Sequence, residues 1–229
     1  MVLFFSAIAI GLLASLLGLG GGVFMTPLLL LGGFVATQPE AAGTSILAVV
    51  FTGISASIAY YRRRAINLRI GLLFMPTALA GVLLGTWIVG IVEPSWLTIA
   101  FGVFLLYPMT MMLAGKTPKD LRPMAKGESS PLRFYVLIAV LGLVAGTVTK
   151  LFGIGGGTVF VPSLVMFLGL DILSAVATSL FVMVPTALFG SATSFLQGTL
   201  HLELAVPLIA GIVIGAQIGT QIGTKMKAE

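Results

Sequence analysis

Residues 18–22 read Gly-Leu-Gly-Gly-Gly, and residues 153–157 read Gly-Ile-Gly-Gly-Gly. Each glycine stretch interrupts an apolar run, at residues 2–35 and 134–170, that is too long for one membrane-crossing helix. An unbroken helix over the first run would be ~51 Å long, against a hydrocarbon core of ~30 Å. Glycine costs about 1 kcal/mol in a helix interior and lets the chain turn. Each run is therefore predicted to be two helical pieces joined by a glycine loop.

The composition places the chain in a membrane. Of its 229 residues, 58% are hydrophobic and only 8% are charged, whereas soluble domains carry about 25% charged residues. This excludes an ordinary soluble enzyme, a disordered chain and a nucleic-acid-binding domain. The absence of cysteine excludes disulfides and thiolate metal sites. Besides the two long runs, five apolar runs of about the length of a membrane helix occupy residues 41–61, 70–92, 96–113, 172–196 and 204–222.

The second half of the sequence repeats the first. At an offset of 135 residues the two glycine stretches coincide, and Pro27 falls on Pro162. At an offset of 134, Thr44 and Ser45 fall on Thr178 and Ser179. Further matches at that offset pair Val50, Thr52, Ser57, Gly81, Gly85, Thr86 and Ile88 with Val184, Thr186, Ser191, Gly215, Gly219, Thr220 and Ile222. Three blocks in the same order indicate a duplication, as is common in transporters.

The positions of the bases predict the topology. If each long run is a hairpin that leaves on the side it entered, eleven of the twelve bases lie on one side, and Lys150 is the exception. Glu40, Glu93 and Glu203 lie on the other side. The positive-inside rule makes the basic side cytoplasmic, and the two halves then form an inverted repeat. In the alternative, each long run crosses once, the halves are parallel, and Lys225 and Lys227 are exported.

The predicted fold is an all-α, polytopic transmembrane helix bundle with two repeats, each opening with a glycine-broken helical hairpin. Residues 1–114 form the first repeat with an extra helix, residues 115–131 a cytoplasmic linker, and residues 132–229 the second repeat. A multi-pass protein of the inner membrane is expected.

The glycine loops are candidate anion sites. Helices are predicted to begin near Val23 and Thr158, directly after the loops. A helix N-terminus offers free N–H groups and the positive end of a dipole, which suit an anion. The alternative is that the glycines only allow close helix packing or a kink. Neither loop is a Rossmann or P-loop signature, because no strand precedes it and no Gly-Lys-Ser/Thr follows.

Hydroxyl residues recur in both halves. Ser45 and Thr52 lie seven residues apart, and so on one helix face, and Ser179 and Thr186 repeat the pattern. These side chains either face a site at the meeting point of the repeats or bond to their own helix or to neighbouring helices. The Gly211, Gly215, Gly219 and Gly223 series is interpreted as a packing surface.

Lys150 is the one base inside an apolar run, and it precedes the second glycine loop by three residues. A buried lysine marks a functional position by default, and the alternative is that it extends to the membrane surface. The substrate-binding residues predicted on all these grounds are Gly20, Gly21, Gly22, Thr44, Ser45, Thr52, Lys150, Gly155, Gly156, Gly157, Thr158, Thr178, Ser179 and Thr186.

The chain resembles the sulfite exporter TauE/SafE family of membrane transporters. The resemblance is carried by the two glycine loops with Pro27 and Pro162, by Thr44-Ser45 and Thr178-Ser179, by the glycine-rich helices at residues 81–85 and 215–219, and by the loop-to-helix junctions at residues 64–73 and 198–207. It covers nearly the whole chain. It implies a bacterial inner-membrane carrier of sulfite, a sulfonate or another small organic anion.

The predicted function is therefore a secondary carrier of a small anion, with no cofactor, no metal and no nucleic-acid partner. Its partners would be the anion, the lipid bilayer and a coupled proton or cation, and a homo-oligomer stays open. One alternative is an anion channel. The other is an intramembrane enzyme such as a serine protease, which needs a serine paired with a base inside the membrane. The only histidine, His201, lies beside Glu203 at a helix end, which argues against this alternative.

Overall fold

A computed structural model describes residues 1–113 and 131–225, and these form helices without any strand. The nine helices of this part of the chain are α1 (Val2–Leu17), α2 (Gly22–Leu31), α3 (Gln38–Arg62), α4 (Leu68–Ile91), α5 (Pro94–Leu113), α6 (Pro131–Phe152), α7 (Gly157–Met166), α8 (Ile172–Leu196) and α9 (Leu202–Lys225). The predicted all-α class is confirmed. The predicted linker, apart from residue 131, lies outside the described residues, as do Lys116, Lys119, Arg122, Lys126 and Lys227.

The two glycine stretches break the long apolar runs where the sequence predicts. α2 begins at Gly22 and α7 at Gly157, each one residue before the predicted start. Within the part of the chain that the structure describes, five helices, α3, α4, α6, α8 and α9, are long and apolar enough to cross a membrane. The chain is therefore a multi-pass membrane protein.

α1, α3 and α9 run in the same direction. Gly211, early in α9, packs on Phe4 of α1, and Gly219, late in α9, packs on Leu12 of α1. The contacts of α3 with α9 also run in parallel order. Just before α9, the His201 N–H bonds to Thr44, early in α3, and the Gln217 side chain, late in α9, bonds to Ser55, later in α3. Since α1 and α3 are parallel, α2 has to bring the chain back between them. α1 and α2 thus form a hairpin.

α4, α6 and α8 form a second parallel set. Gly81 of α4 packs on Leu143 of α6. Gly85, one turn later in α4, packs on Lys150, two turns later in α6. Thr86, late in α4, bonds to Thr193, late in α8. α7 therefore returns between α6 and α8, as α2 does between α1 and α3.

α3 and α8 cross the middle of the bundle in opposite directions. Gly190, late in α8, packs on Ile46, early in α3, and Gly53 of α3 packs on Val184 of α8. Both helices carry long series of buried residues. They form the central pair, against which the two hairpins and the outer helices pack.

Polar residues fix where the central helices begin. Glu40 accepts hydrogen bonds from the N–H groups of Ala36 and Thr37 at the start of α3. Asp171 accepts from the N–H of Ser174 at the start of α8. These side chains satisfy N–H groups that a helix leaves unpaired at its first turn.

α5 covers one side of the second hairpin. The Phe101 and Phe104 rings lie 5.4 Å and 5.2 Å, centre to centre, from the Phe152 ring at the end of α6. Trp87 and Trp96 are exposed near the α4–α5 junction, as expected of aromatic residues at a membrane interface. α5 occupies the part of the first half where the sequence predicts an extra helix, and the division into repeats stays a prediction.

Candidate functional site

Both glycine loops pass through backbone conformations that suit glycine alone. The φ angles are +74° at Gly20 and +89° at Gly21 in the first loop, and +76° at Gly155 and +73° at Gly156 in the second. These angles lie in the left-handed region, where a Cβ atom clashes with the backbone. The loops can therefore reverse the chain in a few residues and start a new helix at once.

The two loops meet in the bundle and run antiparallel to each other. A Cβ atom added to Gly22 would overlap the carbonyl oxygen of Gly153. A Cβ atom added to Gly157 would overlap the carbonyl oxygen of Gly18. The start of each short helix thus touches the end of the long helix of the other hairpin. The two loops thus meet within the bundle, and both contacts require glycine.

Met183 of α8 and Val49 of α3 pack on the middle of this crossing. Space for a Cβ atom is blocked by both side chains at Gly20 and again at Gly155. Sequence reasoning missed these two residues. A signal was present, because Val49 and Met183 are related by the same 134-residue offset as the hydroxyl residues, but an apolar pair does not stand out among apolar helices.

The crossing concentrates unpaired backbone donors. Within the described residues, no acceptor is available to the N–H groups of residues 20–23 or of residues 154–158. The first N–H groups to be bonded in α2 and α7 are those of Phe24 and Val159. Two helix N-termini, each with the positive end of a dipole, therefore begin inside the protein with free N–H groups. Such an arrangement can replace the water around an anion.

Three predicted hydroxyl residues lie at or beside the loops. The Ser179 hydroxyl donates to the carbonyl of Gly18 at 3.1 Å. The Ser45 and Thr158 hydroxyl oxygens are buried and have no hydrogen-bond partner within the described residues. A buried hydroxyl without a partner is costly. Of the predicted substrate-binding residues, Ser45 and Thr158 are accordingly those with a buried hydroxyl still free to bond to a ligand.

Thr44 and Thr178 brace helix junctions. The Thr44 hydroxyl accepts a hydrogen bond from the N–H of His201 at 3.1 Å, just before α9. The Thr178 hydroxyl accepts from the N–H of Asn67 at 3.0 Å, just before α4. The same contact thus occurs in both halves of the chain. Its partners are backbone groups outside the loop crossing, and a substrate role for the two residues stays a prediction.

Thr52 and Thr186 are buried. Each follows by three residues, or about one helical turn, the residue of its helix that packs on the crossing, Val49 or Met183. The Thr52 hydroxyl donates to the carbonyl of Ala48 at 3.1 Å, and the Thr186 hydroxyl donates to that of Val182 at 3.0 Å. Both bonds lie within their own helix, which is the structural alternative foreseen for these hydroxyls. The oxygens keep a lone pair that can accept a hydrogen bond, but their protons are already used.

Lys150 is buried and points away from the second loop. Its side chain is 4% exposed, and its ammonium donates to the Ser194 hydroxyl at 2.7 Å and to the Gly190 carbonyl at 3.4 Å. Both acceptors are on α8. The alternative that Lys150 extends to the membrane surface is therefore excluded in this conformation, and the ammonium does not contact the loop.

Two further polar side chains hold the end of α6, and sequence reasoning missed both. The Thr26 hydroxyl donates to the Phe152 carbonyl at 2.9 Å. The Gln38 amide donates to the Leu151 carbonyl at 2.8 Å, while its own oxygen has no partner within the described residues. Carbonyl acceptors carry no signal in the sequence, so these contacts could not be foreseen.

A cavity of about 410 Å³ lies at the end of the bundle where α3 and α9 begin. It is lined by Phe34 and residues 200–204. His201 Nε2 lies 3.8 Å from a Glu40 carboxylate oxygen at this end. None of the predicted substrate-binding residues lines the cavity.

Comparisons with known proteins agree with this architecture. The chain matches the family described as Sulfite exporter TauE/SafE over residues 3–229. It is 29% identical over 222 residues to the probable membrane transporter protein YunE of Bacillus subtilis, covering 88% of this chain and 80% of that protein. It is 27% identical over 203 residues to YdhB of the same organism, also a probable membrane transporter protein, covering 88% of this chain and 81% of that one. No solved structure matches the chain.

Proposed function

Since the chain belongs to the Sulfite exporter TauE/SafE family of membrane transporters, we propose that it is a secondary carrier of a small anion in the inner membrane. Sulfite and sulfonates are the first candidate substrates, because the family is described by sulfite export. The chain carries no nucleotide-binding motif, so the driving force would be the membrane potential or a coupled ion. The proposed function is transport alone, without a catalysed reaction.

One observation carries this proposal, namely the crossing of the two glycine loops. The N–H groups of residues 20–23 and 154–158 have no acceptor within the described residues, and they belong to the N-termini of two short helices. In a low-dielectric interior an unpaired N–H group costs several kcal/mol. An anion bound at the crossing would satisfy these groups and gain from both helix dipoles.

The close contact of the loops favours a carrier over an open channel. Gly22 and Gly157 pack directly on backbone atoms of the opposite loop, which leaves no open path at these contacts. An anion could pass only if the loops separate on one side and then on the other. Such alternating exposure is the behaviour of a carrier whose site lies where two repeats meet.

The proposed topology is an inverted repeat with the C-terminus in the cytoplasm. It is supported by the parallel set α1, α3 and α9, which runs against the set α4, α6 and α8. The hairpin of α1 and α2 and the following α3 come from the first half of the sequence. The hairpin of α6 and α7 and the following α8 come from the second half and run in the opposite direction. The end of the bundle that carries Arg62 and Lys225 would face the cytoplasm.

Transport by purified protein tests the proposal. Proteoliposomes containing the protein should take up radiolabelled sulfite in a saturable manner, and uptake should stop in Gly21→Val and Gly156→Val, in which a side chain is forced onto a left-handed backbone. Gly90→Val is the matched control, because Gly90 is helical and nothing lies within 4 Å of its added Cβ. Normal transport by both loop variants would mean that the loops serve only packing.

A further inference from the structure

Among the described residues, no carboxylate pairs with Lys150. Its ammonium bonds there to the Ser194 hydroxyl and the Gly190 carbonyl. On the side of α4 it contacts Gly85, where an added Cβ would come within 2.8 Å of the Lys150 Cβ. The side chains that reach the end of α6 from α2, α3 and α5 are Thr26, Gln38, Phe101 and Phe104, all uncharged. Directly before α7, Gly156 lies against the Thr149 hydroxyl. An isolated ammonium in this setting is costly.

A row of polar groups joins Lys150 to the surface. The Thr193 hydroxyl donates at 2.9 Å to the same Gly190 carbonyl that accepts from Lys150. The Thr86 hydroxyl lies 3.2 Å from that of Thr193, and the exposed Gln197 amide donates to the Thr86 carbonyl at 3.1 Å. The row ends where α8 ends. Polar groups therefore line the contact of α4 with α8 from the end of α8 to Lys150.

The matching junction in the other half is closed by a neutral hydrogen-bonded pair. At the 134- and 135-residue offsets, Lys150 corresponds to Ser15 and Ser194 corresponds to Tyr60. There the Tyr60 hydroxyl donates to the Ser15 carbonyl at 3.2 Å. A neutral pair thus suffices to pack this junction, so packing does not explain the lysine.

We propose that Lys150 is the proton-binding residue that couples anion transport to a proton gradient. This inference rests on the proposed anion-carrier function. The amine lone pair of Lys150 takes a proton from water on one side of the membrane. On the other side the N–H bond breaks, the electron pair stays on Nζ, and the proton leaves to water. An anion bound at the loop crossing balances the positive charge of protonated Lys150 through the low-dielectric interior without touching the ammonium, so that a proton and an anion cross the membrane together.

Lys150→Arg is the discriminating variant. A guanidinium keeps the positive charge but does not release its proton in proteins. Proteoliposomes with sulfite on both sides measure exchange, which needs no net proton movement. Sulfite accumulation under an imposed pH gradient measures coupling. Lys150→Arg should lose gradient-driven accumulation by a much larger factor than exchange, whereas Lys150→Gln should lose the accumulation and bind sulfite at least about tenfold more weakly.

The protonation of sulfite itself contributes equally to wild type and variants, so their ratio isolates the residue. Gradient-driven accumulation at the wild-type level in either variant would overturn the inference. Exchange by wild type without any response to the gradient would overturn it while leaving the carrier function in place. Absence of exchange in wild type would overturn both. Gel filtration of each variant in detergent verifies folding, and Lys150→Gln keeps the test decisive if the larger arginine does not fit.

Discussion

Gly22 begins a helix directly against the carbonyl oxygen of Gly153, with no room for even a methyl group between them. Gly157 makes the same contact with Gly18. The two contacts hold the N-termini of α2 and α7 on either side of one crossing. The anion site that we propose depends on this pair of contacts.

Gly22→Ala and Gly157→Ala should each impair transport and lower the thermal stability of the protein. Both residues have ordinary helical backbones, so the added methyl group acts through its collision with the opposite loop and not through strain at φ. Overpacking of this kind costs roughly 1–3 kcal/mol. Sulfite uptake and thermal unfolding in detergent are the measurements, with Gly90→Ala as a control that should behave as wild type. Full uptake by both variants would contradict the close contact.

Removal of single hydroxyls should separate binding from bracing. Thr158→Val and Ser45→Ala remove hydroxyls that lack a partner, so each should weaken sulfite binding by at least about tenfold with little loss of stability. Thr44→Val removes the acceptor of the His201 N–H. It should cost about 1 kcal/mol of stability and weaken sulfite binding less than Thr158→Val does.

Transport kinetics and thermal unfolding distinguish these outcomes. Thr98→Val is the matched control, since the Thr98 hydroxyl bonds only within α5 on an exposed surface. If Thr44→Val weakened binding and Thr158→Val did not, the site would lie at the α9 junction and not at the loop crossing.

The proposed topology places the C-terminus in the cytoplasm. A green fluorescent protein fused after the last residue should therefore fluoresce, and alkaline phosphatase fused there should be inactive. Phosphatase inserted at Gly198, between α8 and α9 and with open space around it, should be active in the periplasm. The reverse pattern of activity would contradict the inverted repeat and the assignment of the basic end to the cytoplasm.

The boundaries of the helices were largely predictable because hydropathy and glycine decide them. α8 covers residues 172–196, as the apolar run does, since Asp171 and Gln197 flank it. α9 extends beyond its run to Lys225, because polar residues can continue a helix past the membrane. The series Gly211, Gly215 and Gly219 packs on α1 as a small-residue surface should.

Which helices pair was not predictable, because apolar surfaces carry no code for their partner. α1 packs on α9 and α4 on α6, so each close pair joins the two halves of the chain. The direction of Lys150 was likewise beyond the sequence. Its position three residues before Gly153 suggested the loop, whereas the rotation of α6 turns its side chain to Ser194.

The most direct test of the anion site is to locate a bound anion. Selenite has the shape and charge of sulfite, and selenium scatters anomalously, so crystals of the unlabelled protein soaked in selenite should give one dominant anomalous peak. If the anion site lies at the loop crossing, this peak should lie within hydrogen-bond distance of the N–H groups of residues 20–23 or 154–158. A dominant peak in the cavity beside His201, or no peak at the crossing at saturating selenite, would contradict this placement.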